Sequence, residues 1–197
     1  MDPNKYLGKY RNKSVRDNGW NYASPGNYFV TICTKNRTPF FGEIKNGINH
    51  LSEIGEIARI EWINSPVIRR DMNLTMDTFV IMPNHVHGII TIGYNQYNSF
   101  VDIAGDGRIL MHQNPTITTA QKGYKNEYGS QSKNLASIIR GFKSSVTMQA
   151  RRIDPDFTWQ AKYHDVIIRD DLSFDRIKKY IESNVRNWES DENYVAV

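Results

Sequence analysis

Met82-Pro83-Asn84-His85-Val86-His87-Gly88-Ile89-Ile90 is the stretch on which the reading of this chain turns. Pro83 and Asn84 interrupt the apolar run that begins at Leu74, and Pro and Asn together punctuate a chain as a turn. From His85 to Ile92 the residues are largely apolar and β-branched, the composition of a strand. The two runs, 74–82 and 85–92, are therefore expected to pair in antiparallel fashion. Side chains on a strand alternate between faces, so His85 and His87 point one way and Val86 the other. Two imidazoles on one face can share a metal ion. Imidazole suits divalent transition metals, and a site serving Mg²⁺ or Mn²⁺ needs a further oxygen donor and water. A His-x-His pair also occurs as a hydrogen-bonded structural pair, so its neighbours decide its meaning.

Working outward, Tyr28-Phe-Val-Thr-Ile-Cys-Thr34 is aromatic and β-branched and reads as a strand, turned by residues 36–39. Phe40 to Ile44 suggests the second arm of a hairpin, and Asn46-Gly47 marks another turn. From Leu51 the period changes: Ile54, Ile57, Ala58 and Trp62 recur at three- and four-residue steps, predicting a helix to about Ser65 that Pro66 stops. Residues 93–133 lose apolar periodicity and fill with Asn, Gln, Gly, Tyr and Ser, an insertion or flexible loop leaving the core. Leu135, Ile138, Ile139, Phe142 and Val146 restore helical spacing up to Arg152. Tyr163 to Arg169 is the last strand, and a C-terminal helix from about Ser173 carries Phe174, Ile177, Ile181, Val185 and Trp188 as its apolar stripe. The residues after it read as a ragged acidic tail. Strands mixed with helices, without regular βαβ repeats, predict an α+β fold: an antiparallel sheet carrying helices on one face.

A metal with open positions orients a nucleophile, and the C-terminal helix offers one. In Tyr180-Ile-Glu-Ser-Asn184 the tyrosine and asparagine stand four residues apart, neighbours on one helical face. Asn184 can offer an amide oxygen as third ligand while Tyr180 attacks phosphorus, losing its proton as it does so. The same spacing also fits Tyr180 as a core tyrosine with its hydroxyl at the rim. Tyr163, in a strand-like run, is the competing nucleophile.

Composition narrows the class. The 197 residues suit one domain with a core of its own, and the single cysteine, Cys33, forms no internal disulfide. Met1-Asp-Pro-Asn-Lys-Tyr6 holds no apolar signal core, and no stretch is long enough to span a bilayer. A cytoplasmic protein with no membrane partner is expected. Lysine and arginine exceed the acids, 25 to 21, a mild surplus compatible with phosphate backbones. Lys5, Lys9, Arg11, Lys13 and Arg16 crowd the start, while Arg140, Lys143, Arg151 and Arg152 mark the later helix as a candidate DNA-contacting face. Such clusters also occur as solvated helix faces.

The stretches Tyr28-Phe-Val-Thr31, Met82 to Ile90, Leu135-Ala-Ser-Ile-Ile-Arg-Gly-Phe-Lys-Ser144, Trp159-Gln160, Tyr163 to Arg169 and Ile177-Lys-Lys-Tyr180-Ile-Glu-Ser-Asn184 cover most of the chain. In their order and mutual placing they resemble the insertion-sequence and REP-associated transposases, single-tyrosine HUH enzymes. The resemblance implies a ferredoxin-like core, His85 and His87 as ligands of Mg²⁺ or Mn²⁺, Asn184 as the helix-borne third ligand and Tyr180 as nucleophile. It further implies single-stranded DNA, hairpin or palindromic, as substrate, and a homodimer. The excursion over 93–133 is longer than the link expected there, and Val185 stands where many relatives carry a proline. The rival functions are a domesticated hairpin-DNA-binding protein that no longer transposes, and a metal hydrolase unrelated to DNA with zinc on His85 and His87. The last lacks a clear acidic third ligand in the sequence.

Overall fold

A computed structural model describes residues 19–98 and 132–195, together with two short paired segments, β1 (Lys5–Tyr6) with β2 (Lys9–Tyr10) and β8 (Val101–Ile103) with β9 (Ile109–Met111). Most of the 93–133 excursion lies outside the described residues. The central sheet holds β3 (Gly26–Cys33), β6 (Leu74–Met82), β7 (His85–Ile92) and β10 (His164–Ile168), ordered β10-β3-β7-β6 and antiparallel throughout. Helix α1 (Glu53–Ile68) links β3 to β6, α2 (Leu135–Ala150) links β7 to β10, and α3 (Asp171–Ser183) follows β10. The first six of these elements form βαββαβ with the last strand beside the first, the ferredoxin-like arrangement that the resemblance implies.

Alternation along the strands assigns the two faces. Val30, Ile32, Val86 and Ile90 enter the main core with Trp62 of α1 and Phe142 of α2. The opposite face of β7 presents His85, His87 and Ile89, and there Ile89 packs with Ile168 and with Ile181 of α3. The expected one-face packing thus holds for α1 and α2, whereas α3 covers the other face. Gly88 belongs to the main-core side: a Cβ there would stand 2.3 Å from Trp62 Cζ2 and 3.0 Å from Phe79 Cβ. The indole of Trp62 fills the space that a larger residue would need.

Two local expectations change. Gly42–Lys45 (β4) pairs with Ile48–Leu51 (β5) rather than with the strand at 28–34, in a register that leaves Asn46 and Gly47 as a two-residue loop with φ 53° and 71°. Asn-Gly is the sequence that best accepts two positive φ values, so this local turn decides the pairing. Helix α1 does not stop at Pro66 but runs to Ile68, with Ser65 O accepting from Arg69 N at 3.2 Å. Proline removes one donor only, and here it falls in the final turn, where little helix remains to be broken. Helix α3 ends at Ser183, so Val185 and Trp188 leave the helical stripe, and Trp188 opens a 3₁₀ turn.

Candidate metal and nucleophile site

The register of β3 against β7 sets Thr31 opposite His87 and Cys33 opposite His85. Both histidines are buried, and their ring centroids lie 4.3 Å apart. Each has a partner on Nδ1. His87 Nδ1 is 2.9 Å from Thr31 Oγ1, and His85 Nδ1 is 2.8 Å from Asn84 Oδ1. A partner on one ring nitrogen fixes which way the other nitrogen faces, the usual outer shell of a metal-binding histidine. His85 Nε2 is then buried with no partner among the described residues. Burial, reinforced by His87 beside it, pushes the His85 pKa down to about 3, so the ring is neutral and one of its nitrogens carries a lone pair.

Helix α3 lays Ile177 and Ile181 against the sheet, and the same spacing brings Asn184 inward at the helix end. Asn184 is buried; its Nδ2 donates to Asp191 Oδ2 at 3.0 Å while its Oδ1 has no partner. Tyr180, one turn earlier, is 41% exposed, which places it off the buried stripe. Its hydroxyl lies 3.3 Å from His87 Nε2 and 3.5 Å from Asp191 Oδ2, and its ring meets that of His87 edge-on at 5.4 Å. Partial burial, together with the neighbouring Asp191 charge, pushes the Tyr180 pKa up to about 12. Tyr163 packs against the main core on the other face of the sheet and is not brought here.

The sequence reading missed Asp191. After α3 the chain folds back as a strap. Asp191 N donates to Trp188 O, Asn193 N to Asp191 Oδ1 at 2.6 Å, and Tyr194 N to Asp191 O. Trp188 packs 6.0 Å from the His85 ring and edge-on to Tyr194. The side chain of Asp191 is only 1% exposed, with Oδ2 3.8 Å from His87 Nε2. Burial opposes its charge, yet the nearby His87 ring and hydrogen bonds from the Asn193 N–H and Asn184 outweigh that and hold the carboxyl well below the usual carboxylate range. The supposed ragged tail is thus a built part of the site. Trp188, a large apolar ring three residues before Asp191 that the structure buries, was the signal in the sequence that this segment packs against the fold.

Potential ligand atoms of His85, His87 and Asp191 all lie within 4.8 Å of one another. Two imidazoles, one carboxylate and the unpartnered amide oxygen of Asn184 make a mixed nitrogen and oxygen set that fits Mn²⁺, or Mg²⁺ with water completing the shell. The α2 cations are not brought to this set. Arg140, Lys143, Arg151 and Arg152 lie on or directly beyond α2, whose apolar side enters the main core on the sheet face away from His85 and His87. Lys143 Nζ donates to Gln160 O at 2.6 Å, and burial pushes its pKa down to about 8. Arg151 Nε donates to Phe157 O at 3.0 Å.

Comparison with known proteins sets this geometry in context. No protein-family model matches the chain. A solved structure of a REP-associated tyrosine transposase bound to a REP hairpin superimposes with a TM-score of 0.52 over 87% of this chain and 72% of that one, at 17% identity. The fold is that of the REP-associated tyrosine transposases. In sequence, the chain is 36% identical over 189 residues to a Haemophilus influenzae protein described as uncharacterized, covering 95% of this chain and 96% of the relative. The chain belongs to one family with that Haemophilus protein.

Proposed function

We propose that the protein is a metal-dependent endonuclease and strand transferase for single-stranded DNA, a transposase working through a covalent phosphotyrosine. The observation that carries this is the meeting of Tyr180 with His87 and Asp191 at 3.3 and 3.5 Å beside a second buried histidine. A core tyrosine would not leave 41% of its surface open next to two unpartnered ligand atoms. His85, His87 and Asp191, with Asn184 Oδ1, would hold Mg²⁺ or Mn²⁺. Bound there, the cation would counter the Asp191 charge that, after partial burial, helps keep the Tyr180 hydroxyl protonated, and would polarise a phosphoryl oxygen. Tyr180 Oη attacks the phosphorus of a DNA phosphodiester and gives up its proton; the P–O3′ bond breaks, leaving a phosphotyrosine ester and a free 3′ hydroxyl. Attack by another 3′ hydroxyl reverses the step and rejoins strands.

The REP hairpin held by the solved relative supports hairpin DNA as the substrate class. A homodimer belongs to the same proposal, and the insertion over 93–133 is assigned to the same single domain. Among the described residues no helix is long and apolar enough to cross a membrane. Asp191 also gives the rival hydrolase its missing acidic ligand, so zinc on His85, His87 and Asp191 is the second reading. One assay separates the two. With a labelled DNA hairpin and Mn²⁺ or Mg²⁺, the transferase accumulates a protein–DNA adduct, and His85→Ala and His87→Ala each abolish cleavage while retaining much of the DNA affinity. Parental cleavage by either variant, or hydrolysis without any adduct, refutes the transferase.

A further inference from the structure

We propose that Asn84 is a positioning residue that couples the metal-ready form of His85 to closure of the C-terminal strap. The coupling rests on the metal site proposed above, but its geometry stands on its own. Asn84 is 1% exposed, and its backbone is held because Thr34 N donates to Asn84 O at 2.9 Å. Its side-chain amide then has only one workable orientation. Nδ2 donates to two backbone carbonyls, Arg37 O at 3.1 Å and Asn193 O at 2.8 Å. A carbonyl only accepts, so turning the amide over would set oxygen against oxygen at both positions. Oδ1 must therefore be the atom facing His85, 2.8 Å from Nδ1. An amide oxygen only accepts, so His85 Nδ1 carries the proton and Nε2, buried and unpartnered, carries the lone pair.

The same amide thus selects the tautomer of a ligand and holds the backbone two residues beyond Asp191. The other end of that grip is also built. Asn36 and Arg37 adopt φ of 54° and 56°, a left-handed pair of non-glycine residues that needs support from its surroundings. That turn presents Arg37 O to Asn84 and the Arg37 guanidinium to Asn193 Oδ1. With the strap closed, Asn84 has both carbonyls and His85 is held in one tautomer. With the strap open, Nδ2 loses one acceptor and Asp191 leaves His87.

Two variants test the coupling in the full-length protein. Asn84→Ala removes both functions. Mn²⁺ affinity, read from the electron paramagnetic resonance of the free ion, falls about ten- to hundredfold, the usual effect of losing such an outer partner. Nitrogen-15 side-chain spectra of the metal-free protein lose the single Nδ1–H form of His85. Asn84→Asp separates the functions: its carboxylate still accepts from His85 Nδ1, so the tautomer and Mn²⁺ affinity persist. Its second oxygen, however, faces the Arg37 and Asn193 carbonyls, so the amides of Asp191 and Asn193 exchange hydrogen faster. The coupling is refuted if Asn84→Ala binds Mn²⁺ as the parent does with His85 unchanged, or if Asn84→Asp leaves strap exchange at the parental rate. Should Asn84→Ala fail to fold, the exchange rates of Asn84→Asp decide alone. His85→Ala is the reference: if parent and His85→Ala bind Mn²⁺ equally, the metal site itself is wrong, whereas the tautomer spectra still judge Asn84.

Discussion

Tyr180→Phe removes one oxygen from a ring that otherwise stays in place, edge-on to Phe29 at 6.1 Å and to His87 at 5.4 Å. The hydroxyl's two contacts are long, 3.3 and 3.5 Å, on a side chain that is 41% exposed. A net hydrogen bond is worth about 1 kcal/mol, so the loss of stability stays below about 1 kcal/mol. For a domain of this size that moves the melting temperature by no more than about 4 °C. Covalent chemistry, in contrast, disappears entirely, because no other oxygen stands where Tyr180 Oη does. With a pKa of about 12, roughly one Tyr180 hydroxyl in 10⁴ is ionised at pH 8 without a cation. Adduct formation in the parent therefore depends on added Mn²⁺ or Mg²⁺ and ceases on chelation. The assay is a denaturing gel with a labelled hairpin, followed by peptide mapping of the retarded band, with Tyr163→Phe alongside as the variant that keeps the adduct. A persistent adduct in Tyr180→Phe, or label on the Tyr163 peptide, refutes the assignment.

Asp191 predicts a signature in acid. A carboxyl held below its ordinary value stabilises the fold fully above the unfolded pKa of about 3.9, and that stabilisation is lost as pH falls through the lower folded value. Asp191→Asn therefore flattens the decline of the urea midpoint below about pH 4, and it weakens Mn²⁺ binding at neutral pH; parallel acid limbs in parent and variant would contradict the buried contacts. Gly88→Ala drives a Cβ to 2.3 Å from Trp62 Cζ2, against an indole held between Phe79 and Phe142. Overpacking of this kind costs about 1–3 kcal/mol, visible as a lower urea midpoint, and an unchanged midpoint would mean that Trp62 does not occupy that space.

The paired histidines and the four sheet strands were legible because period-two alternation and a Pro-Asn break are local signals, and local signals survive into the fold. The helices were legible from their period, though not from their stop signals, since Pro66 in a final turn breaks almost nothing. Periodicity gives a helix an apolar side but not the sheet face to which that side is applied, so the placing of α3 opposite α1 and α2 had to come from the structure. The same blindness affected Arg140, Lys143, Arg151 and Arg152: their clustering is plain, but only the topology separates them from the histidines. Asp191 was hidden by its neighbours, Glu189 and Glu192, which give the segment the composition of a solvated tail. Tyr180 was ambiguous for a geometric reason. A side chain at the border of an apolar stripe fits the core and the rim equally well until the helix is docked.

Strand order also governs when this site comes into being. The contacts that build it join residues 56, 109 and 160 positions apart, Thr31 with His87, Asn84 with Asn193 and Cys33 with Asn193. Such closures are slow and come late, because chain entropy opposes each long loop before its contacts can repay it. The β6–β7 hairpin can form early and already carries both histidines, but it has neither phenol nor carboxylate opposite them. A chain caught halfway through folding, or a proteolytic fragment that keeps the hairpin, therefore lacks the assembled site. The meeting of both imidazoles with the phenol and the carboxylate arises only in molecules whose whole topology is complete.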